Sequence, residues 1–189
     1  SKSRAVQNEL EPLQWIGTDY TFQDGELLFK MAGKSIKIIA FNARSVRNLL
    51  KRGHLRLFLQ NVDCDLIIWT ETQTNLEAVR KLKDLRKLMS AFPFCAWNSS
   101  SCARRGVGYS GVSIWSKWKP SEVRLGMRGE HSLNQEGRVL TFHYLDAIIV
   151  GTYWPSSSFR TSSKTRRVSF ESCFNNHVQK LKQCYPEKY

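Results

Sequence analysis

Three short segments, Ile36-Lys37-Ile38-Ile39, Leu66-Ile67-Ile68-Trp69 and Ala147-Ile148-Ile149-Val150, are almost continuously apolar and rich in β-branched residues. A strand with one solvated face alternates polar and apolar residues, because successive side chains point to opposite sides. Runs without that alternation predict strands buried on both faces, as in sheets covered by other layers. Helical stripes separate them. Leu49 to Leu59 forms one, interrupted at Gly53, and Leu76, Val79, Leu82, Leu85 and Met89 form another over Asn75 to Ser90. The order strand, helix, strand, helix predicts a layered α/β domain.

The rest of the chain fits the same plan. Phe94 to Asn98, Gly111 to Ser116, Arg138 to Tyr144 and Ala147 to Trp154 read as strands, the last two joined by a tight turn at Leu145-Asp146. A final helix is expected from about Lys164 to Cys184, with Phe170, Phe174, Val178 and Leu181 on one face. Residues 1–33 read as an N-terminal extension, in which Tyr20 and Phe22, the turn Gln23-Asp24-Gly25 and then Leu27-Leu28-Phe29 suggest a hairpin. The α/β domain itself is assigned to residues 34–189.

Charge narrows the partners. The 189 residues carry a formal charge of +13, the footprint of a protein that neutralises phosphates. The extension holds three bases against five acids, so the domain carries +15. Five cysteines show no metal-ligand spacing, which predicts free thiols in a reducing, intracellular setting. No run approaches the roughly 18 apolar residues of a membrane span, so no membrane partner is expected.

Three groups of residues carry a family resemblance. The first is Lys37-Ile38-Ile39-Ala40-Phe41-Asn42-Ala43-Arg44-Ser45, a strand delivering an Asn at its end. The second, Asp65-Leu66-Ile67-Ile68-Trp69-Thr70-Glu71-Thr72, delivers a Glu in the same way. The third runs through Gly108-Tyr109-Ser110-Gly111, Glu136-Gly137-Arg138-Val139 and Thr152-Tyr153-Trp154-Pro155. Together they resemble the N-terminal half of an endonuclease/exonuclease/phosphatase domain of the apurinic endonuclease and exonuclease III type. The resemblance implies half of a four-layer α/β sandwich, one mixed β-sheet with flanking helices. It also implies catalytic roles for Asn42, Glu71 and Tyr153, with Glu71 as the ligand of Mg²⁺, since a hard cation prefers carboxylate oxygens.

The departures point elsewhere. Arg44 stands where the apurinic endonucleases usually carry an acid or amide, and Asn-Ala-Arg-Ser is similar instead to the nicking endonucleases of non-LTR retrotransposons. The resemblance also implies second-half motifs that supply the general base and further acids. After Arg138 the only acids are Asp146, Glu171 and Glu187, in a predicted turn, helix and tail. His177 has no orienting carboxylate nearby and reads as structural or exposed.

Two functions follow as expectations. The favoured one is a nucleic-acid-binding protein that is not catalytic alone, a subunit of a larger complex such as a ribonucleoprotein in the nucleus or mitochondrion. The alternative is half of a split Mg²⁺-dependent DNA endonuclease, acting at abasic sites or by nicking and completed by a second chain; Asn42, Glu71 and Tyr153 are vestigial in the first case and completed in trans in the second. A fragment of a complete endonuclease is a third reading. Phosphate contacts are expected from Arg44, Arg80, Lys83, Lys87, Arg104, Arg105, Lys164, Arg166 and Arg167. Because the two amphipathic helices at Asn75 to Ser90 and Lys164 to Cys184 can cover only one sheet face, the other face is expected to meet a protein partner, the missing half-domain or an assembly.

Overall fold

The computed structural model describes residues 18–23, 26–31, 34–102, 108–129, 131–156 and 161–188. Its larger sheet contains β1 (Thr18–Gln23), β2 (Glu26–Met31), β3 (Lys34–Asn42), β4 (Leu66–Thr70), β5 (Phe94–Asn98) and β6 (Val112–Ser116), in the order β1-β2-β3-β4-β6-β5. The strand pair expected within residues 1–33 is present: β1 and β2 are antiparallel, and β2 continues the sheet onto β3. The turn residues Asp24 and Gly25 lie outside the described residues. β3 and β4 run parallel, with Asn42 opposite Thr70, while β4 and β6 run antiparallel.

A second, antiparallel sheet contains β7 (Glu122–Leu125), β8 (Val139–His143) and β9 (Ile148–Thr152). The mixed α/β class is therefore as expected, but the β8–β9 meander does not extend the first sheet. It stacks on it. Alternation sends Ile67, Trp69 and Trp115 to one face of the large sheet, and Leu66, Val112 and Ile114 to the other. The second group packs with Leu140, Phe142, Ala147 and Ile149 of the small sheet. Gly151 permits the close approach, since a Cβ there would lie 2.9 Å from Ile68 and 3.2 Å from Val112.

The helices divide between the outer faces. The helices α1 (Val46–Lys51), α2 (His54–Asn61), α3 (Leu76–Lys81) and α4 (Lys83–Met89) cover the large sheet through Val46, Leu55, Val79, Leu85 and Met89. Following the short α5 (His131–Asn134), the long α6 (Thr161–Cys184) covers the small sheet, where Phe170 packs on Val139 and Met127. The expectation of a partner on an open sheet face is corrected here. That face is closed by the chain's own β8 and β9, because the two helix groups lie on opposite sides of two stacked sheets rather than on one side of a single sheet.

Local sequence explains the helix boundaries. Gly53, at φ 74°, separates α1 from α2 as expected. The stripe over Asn75 to Ser90 forms two helices instead of one: Asn75 caps α3 by accepting from the Ala78 N–H at 2.8 Å, and Leu82 is extended between α3 and α4. Apolar spacing runs through that break, so periodicity conceals it. Among the described residues there is no disulfide, and no helix is long and apolar enough to cross a membrane.

Candidate functional site

Where β3, β4 and β6 meet the neighbouring loops, backbone pairing continues through strained turns. The Ala43 N–H donates to the Thr70 carbonyl (2.9 Å), Ser45 to Glu71 (2.9 Å), Val46 to Thr72 (3.0 Å) and Gln73 to Ser110 (2.9 Å). All positive-φ residues other than glycine in the described chain lie here: Arg44 (42°), Ser45 (89°), Glu71 (55°), Gln73 (50°) and Ser110 (55°). Such conformations cost about 1–3 kcal/mol each and persist where surrounding structure enforces them, most often at functional sites. Gly111 (φ 94°) completes the cluster, and a Cβ there would collide with the Thr72 hydroxyl.

These turns aim the expected residues at one another. Asn42 ends β3, and its Oδ1 accepts from the Arg44 N–H at 3.0 Å. Glu71, half-buried, follows the end of β4. Tyr153 follows β9, its N–H donating to the Arg138 carbonyl at 2.9 Å. Burial raises the Tyr153 phenol above its ordinary pKa, and the Glu71 carboxylate beside it raises it further, against the opposing pull of Arg138. Asn42, Arg44, Glu71 and Tyr153 thus share one edge of the sandwich.

Other expected contacts lie apart. Arg80, Lys83 and Lys87 are exposed on α3 and α4, over the large sheet, and Lys164 is exposed on α6. Arg166 and Arg167 are held within the chain: Arg166 donates to Glu136 (3.3 Å), and Arg167 donates to the Pro155 carbonyl (2.9 Å) and lies 4.7 Å from the Trp154 ring centre. Arg104 and Arg105 fall outside the described residues.

Sequence reasoning missed two features. A surface cavity of about 670 Å³ adjoins the strained turns, lined by Ser45, Arg47, Asn48, Lys51, Gln73 and Gly108 among others. The signal was available, since Arg47 and Lys51 are four residues apart on the helix that starts just after Asn42 and so share a face. The second is a cluster in which the buried Arg138 is surrounded by the half-buried Tyr109, Glu136 and Tyr153, joining residues up to 44 positions apart. Its motifs were visible, but its contacts depend on the stacking of the sheets.

No protein-family model matches the chain. It is 24% identical over 151 residues to an exodeoxyribonuclease of Bacillus subtilis, covering 80% of this chain and 55% of that protein. It is also 24% identical over 159 residues to a DNA-(apurinic or apyrimidinic site) endonuclease of Dictyostelium discoideum, covering 83% and 41%. Among solved structures, the 3' phosphatase NExo from Neisseria, bound to product DNA hairpin, superposes with a TM-score of 0.63 at 16% identity, over 78% of this chain and 53% of that one. The chain therefore has the α/β fold of exonuclease III and apurinic-endonuclease-type proteins, and relatives of that type match about 80% of it. It spans about half the length of the Bacillus and Neisseria proteins.

Proposed function

We propose that these 189 residues bind the phosphodiester backbone of nucleic acid at the strand-end site and do not hydrolyse it by themselves. The observation that carries this is the site itself. Glu71 and Tyr153 are brought together at the strand ends, next to a cavity lined by Arg47 and Lys51 and by one acid, Asp84 at the start of α4; the acids that follow Arg138 lie elsewhere. Asp146 sits in the β8–β9 turn, roughly 20 Å from Tyr153 at about 3.3 Å per strand residue. Glu171 and Glu187 are exposed on and beyond α6. Glu136 is committed to Arg138 and Arg166.

Relatives with this fold imply magnesium, and the donor set fits it in part. Mg²⁺ keeps several waters and binds through one or two carboxylates plus phosphate oxygens. Glu71 and the Asn42 amide oxygen would hold it, and it would neutralise phosphate charge there. Among the described residues no group of three or more His, Cys, Asp or Glu could hold a metal ion. The remaining task falls to the chain: Arg47 and Lys51 attract the backbone, and Tyr153 offers a hydroxyl beside Glu71. A basic chain of this kind suits a subunit of a nucleoprotein complex in the nucleus or mitochondrion.

A second reading, a Mg²⁺-dependent DNA endonuclease completed by further polypeptide, draws on β9. Among the described residues β9 pairs only with β8, and its C-terminal end leads into Tyr153. A strand added to that edge would bring its own end beside Glu71.

Fluorescence anisotropy with labelled single-stranded and duplex DNA and with RNA tests the first reading. Affinity should fall at least about tenfold between 50 and 200 mM salt, as expected when several phosphates are neutralised. An abasic duplex incubated with the chain and Mg²⁺ should remain uncut, and cleavage abolished by Glu71→Gln would replace the first reading with the second.

A further inference from the structure

Arg138 is 2% exposed, and each of its three guanidinium nitrogens donates a hydrogen bond. Nε donates to Glu136 Oε2 at 2.5 Å, Nη1 to the Tyr153 carbonyl at 2.9 Å and Nη2 to the Tyr109 hydroxyl at 2.6 Å. The same planar group lies over two rings, its central carbon 4.9 Å from the Tyr153 centroid and 5.3 Å from that of Tyr109. The second oxygen of Glu136 accepts from Arg166 of α6 at 3.3 Å. One carboxylate thus answers two guanidiniums, leaving net positive charge under the edge that carries Glu71.

Stability alone does not explain this arrangement. Burying a charged group costs several kcal/mol, and apolar residues of similar volume often hold a protein together as well or better. What an arginine supplies and an apolar residue does not is a rigid fork of directed donors with two faces for stacking. Here the fork ties the Tyr109 turn to the end of β9.

We propose that Arg138 is the positioning residue of the strand-end site: it holds Tyr153 beside Glu71, locks the Tyr109 turn to it, and is itself set by Arg166 of α6 through Glu136. The proposal rests on the nucleic-acid-binding reading and names what shapes that site. Docking of α6 and order at the site are then coupled, because Glu136 reaches both arginines.

The test compares the full chain with Arg138→Met, Arg138→Lys and Arg166→Met. Two readouts are used: affinity for a fluorescein-labelled 20-nucleotide DNA, and the ¹³Cζ chemical shifts of [¹³Cζ]tyrosine-labelled protein at neutral pH, assigned with Tyr153→Phe, Tyr109→Phe and Tyr144→Phe. Loss of several charged hydrogen bonds should weaken DNA binding by Arg138→Met about tenfold or more. The Tyr153 and Tyr109 resonances should move in that variant, while that of Tyr144, buried in the core between the sheets, stays in place. Arg138→Lys keeps the charge without the fork, so it should restore neither the affinity nor the two resonances. A merely electrostatic role predicts that Arg138→Lys behaves as the parent, and a merely structural role predicts that the Tyr144 resonance moves as well. Either result, or Arg138→Met binding within twofold of the parent, overturns the proposal. If Arg138→Met does not fold, Arg138→Lys and Arg166→Met decide: unchanged binding and resonances in both overturn the proposal, and weakened binding with both site resonances moved supports it. Should the parent chain bind no DNA while the two site resonances move as stated, the functional reading fails and the positioning role stands.

Discussion

The middles and the ends of β3, β4 and β6 obey opposite rules. Within the strands, Trp69 of β4 and Trp115 of β6 pack with ring centres 5.2 Å apart, and Trp97 of the neighbouring β5 lies 5.9 Å from Trp115, in ordinary extended strands covered by helices. At the ends, five non-glycine residues take positive φ within a few residues of one another, and polar side chains converge. The same strands therefore store stability in one place and strain in the other. The contrast teaches where function sits: a fold tolerates local strain only where rigid packing beneath it forbids relaxation.

The largest effect should come from attacking the rigid half. Trp115→Ala removes a fully buried ring that contacts three other aromatics, and should cost about 3–5 kcal/mol. Urea denaturation measures it. A loss below about 1 kcal/mol would mean that the strand middles are not the support of the site, and the contrast would collapse.

A second buried polar region sharpens the comparison. His143 of β8 and His177 of α6 are both buried, and among the described residues their Nε2 atoms have no hydrogen-bond partner. Burial lowers the pKa of each, and Arg124 lowers both further. Around them stand Glu122 and Arg124 of β7, Lys180 on α6, Lys188 beyond it and the Tyr185 ring; of these only Glu122 favours the charged form of His143. The native state thus prefers both imidazoles neutral. As pH falls below the unfolded value of about 6.5, the unfolded chain takes up protons that the native chain resists, so stability should decrease with decreasing pH until the folded pKa values are reached. Urea midpoints at pH 7 and pH 5 report this slope, and His177→Gln should flatten it. A flat profile in the parent would show that α6 adapts to charge beneath it.

Much of this was legible in the sequence, and the misses have physical causes. Strands with apolar residues on both sides declare that both faces are buried but not what buries them; hence one sheet with a partner could not be told from two sheets stacked on each other. β7 escaped notice because Glu122-Val123-Arg124-Leu125 is short and half-exposed, with no apolar run to mark it. The break at Leu82 was invisible because Leu82 keeps the apolar spacing. Asn42, Glu71 and Tyr153 were legible because each directly follows or ends a recognisable strand. The role of Arg138 was not, since its partners come from three separate segments and meet only after the sheets have packed.

The smallest effect is the most diagnostic of the strained half. Glu71 is a half-buried carboxylate at φ 55°, in a site whose other charges are mainly basic. Glu71→Gln keeps the backbone and nearly the same shape, so its stability should stay within about 0.5 kcal/mol of the parent, as for substitutions that break no core contact. Its charge should matter in two opposite ways. With EDTA present, removing a negative group from a phosphate-binding site relieves repulsion and should tighten DNA binding by a factor of about two, the scale of an exposed charge pair. With Mg²⁺ present, the parent gains a carboxylate-anchored cation that the variant lacks. The order of affinities should then reverse. Titrating both proteins with labelled DNA in the two buffers reads the difference of differences, which cancels any general change in folding. If the ratio of the two affinities is the same with and without Mg²⁺, Glu71 does not hold a cation, and the strain at the end of β4 must serve the placement of Tyr153 and the backbone alone.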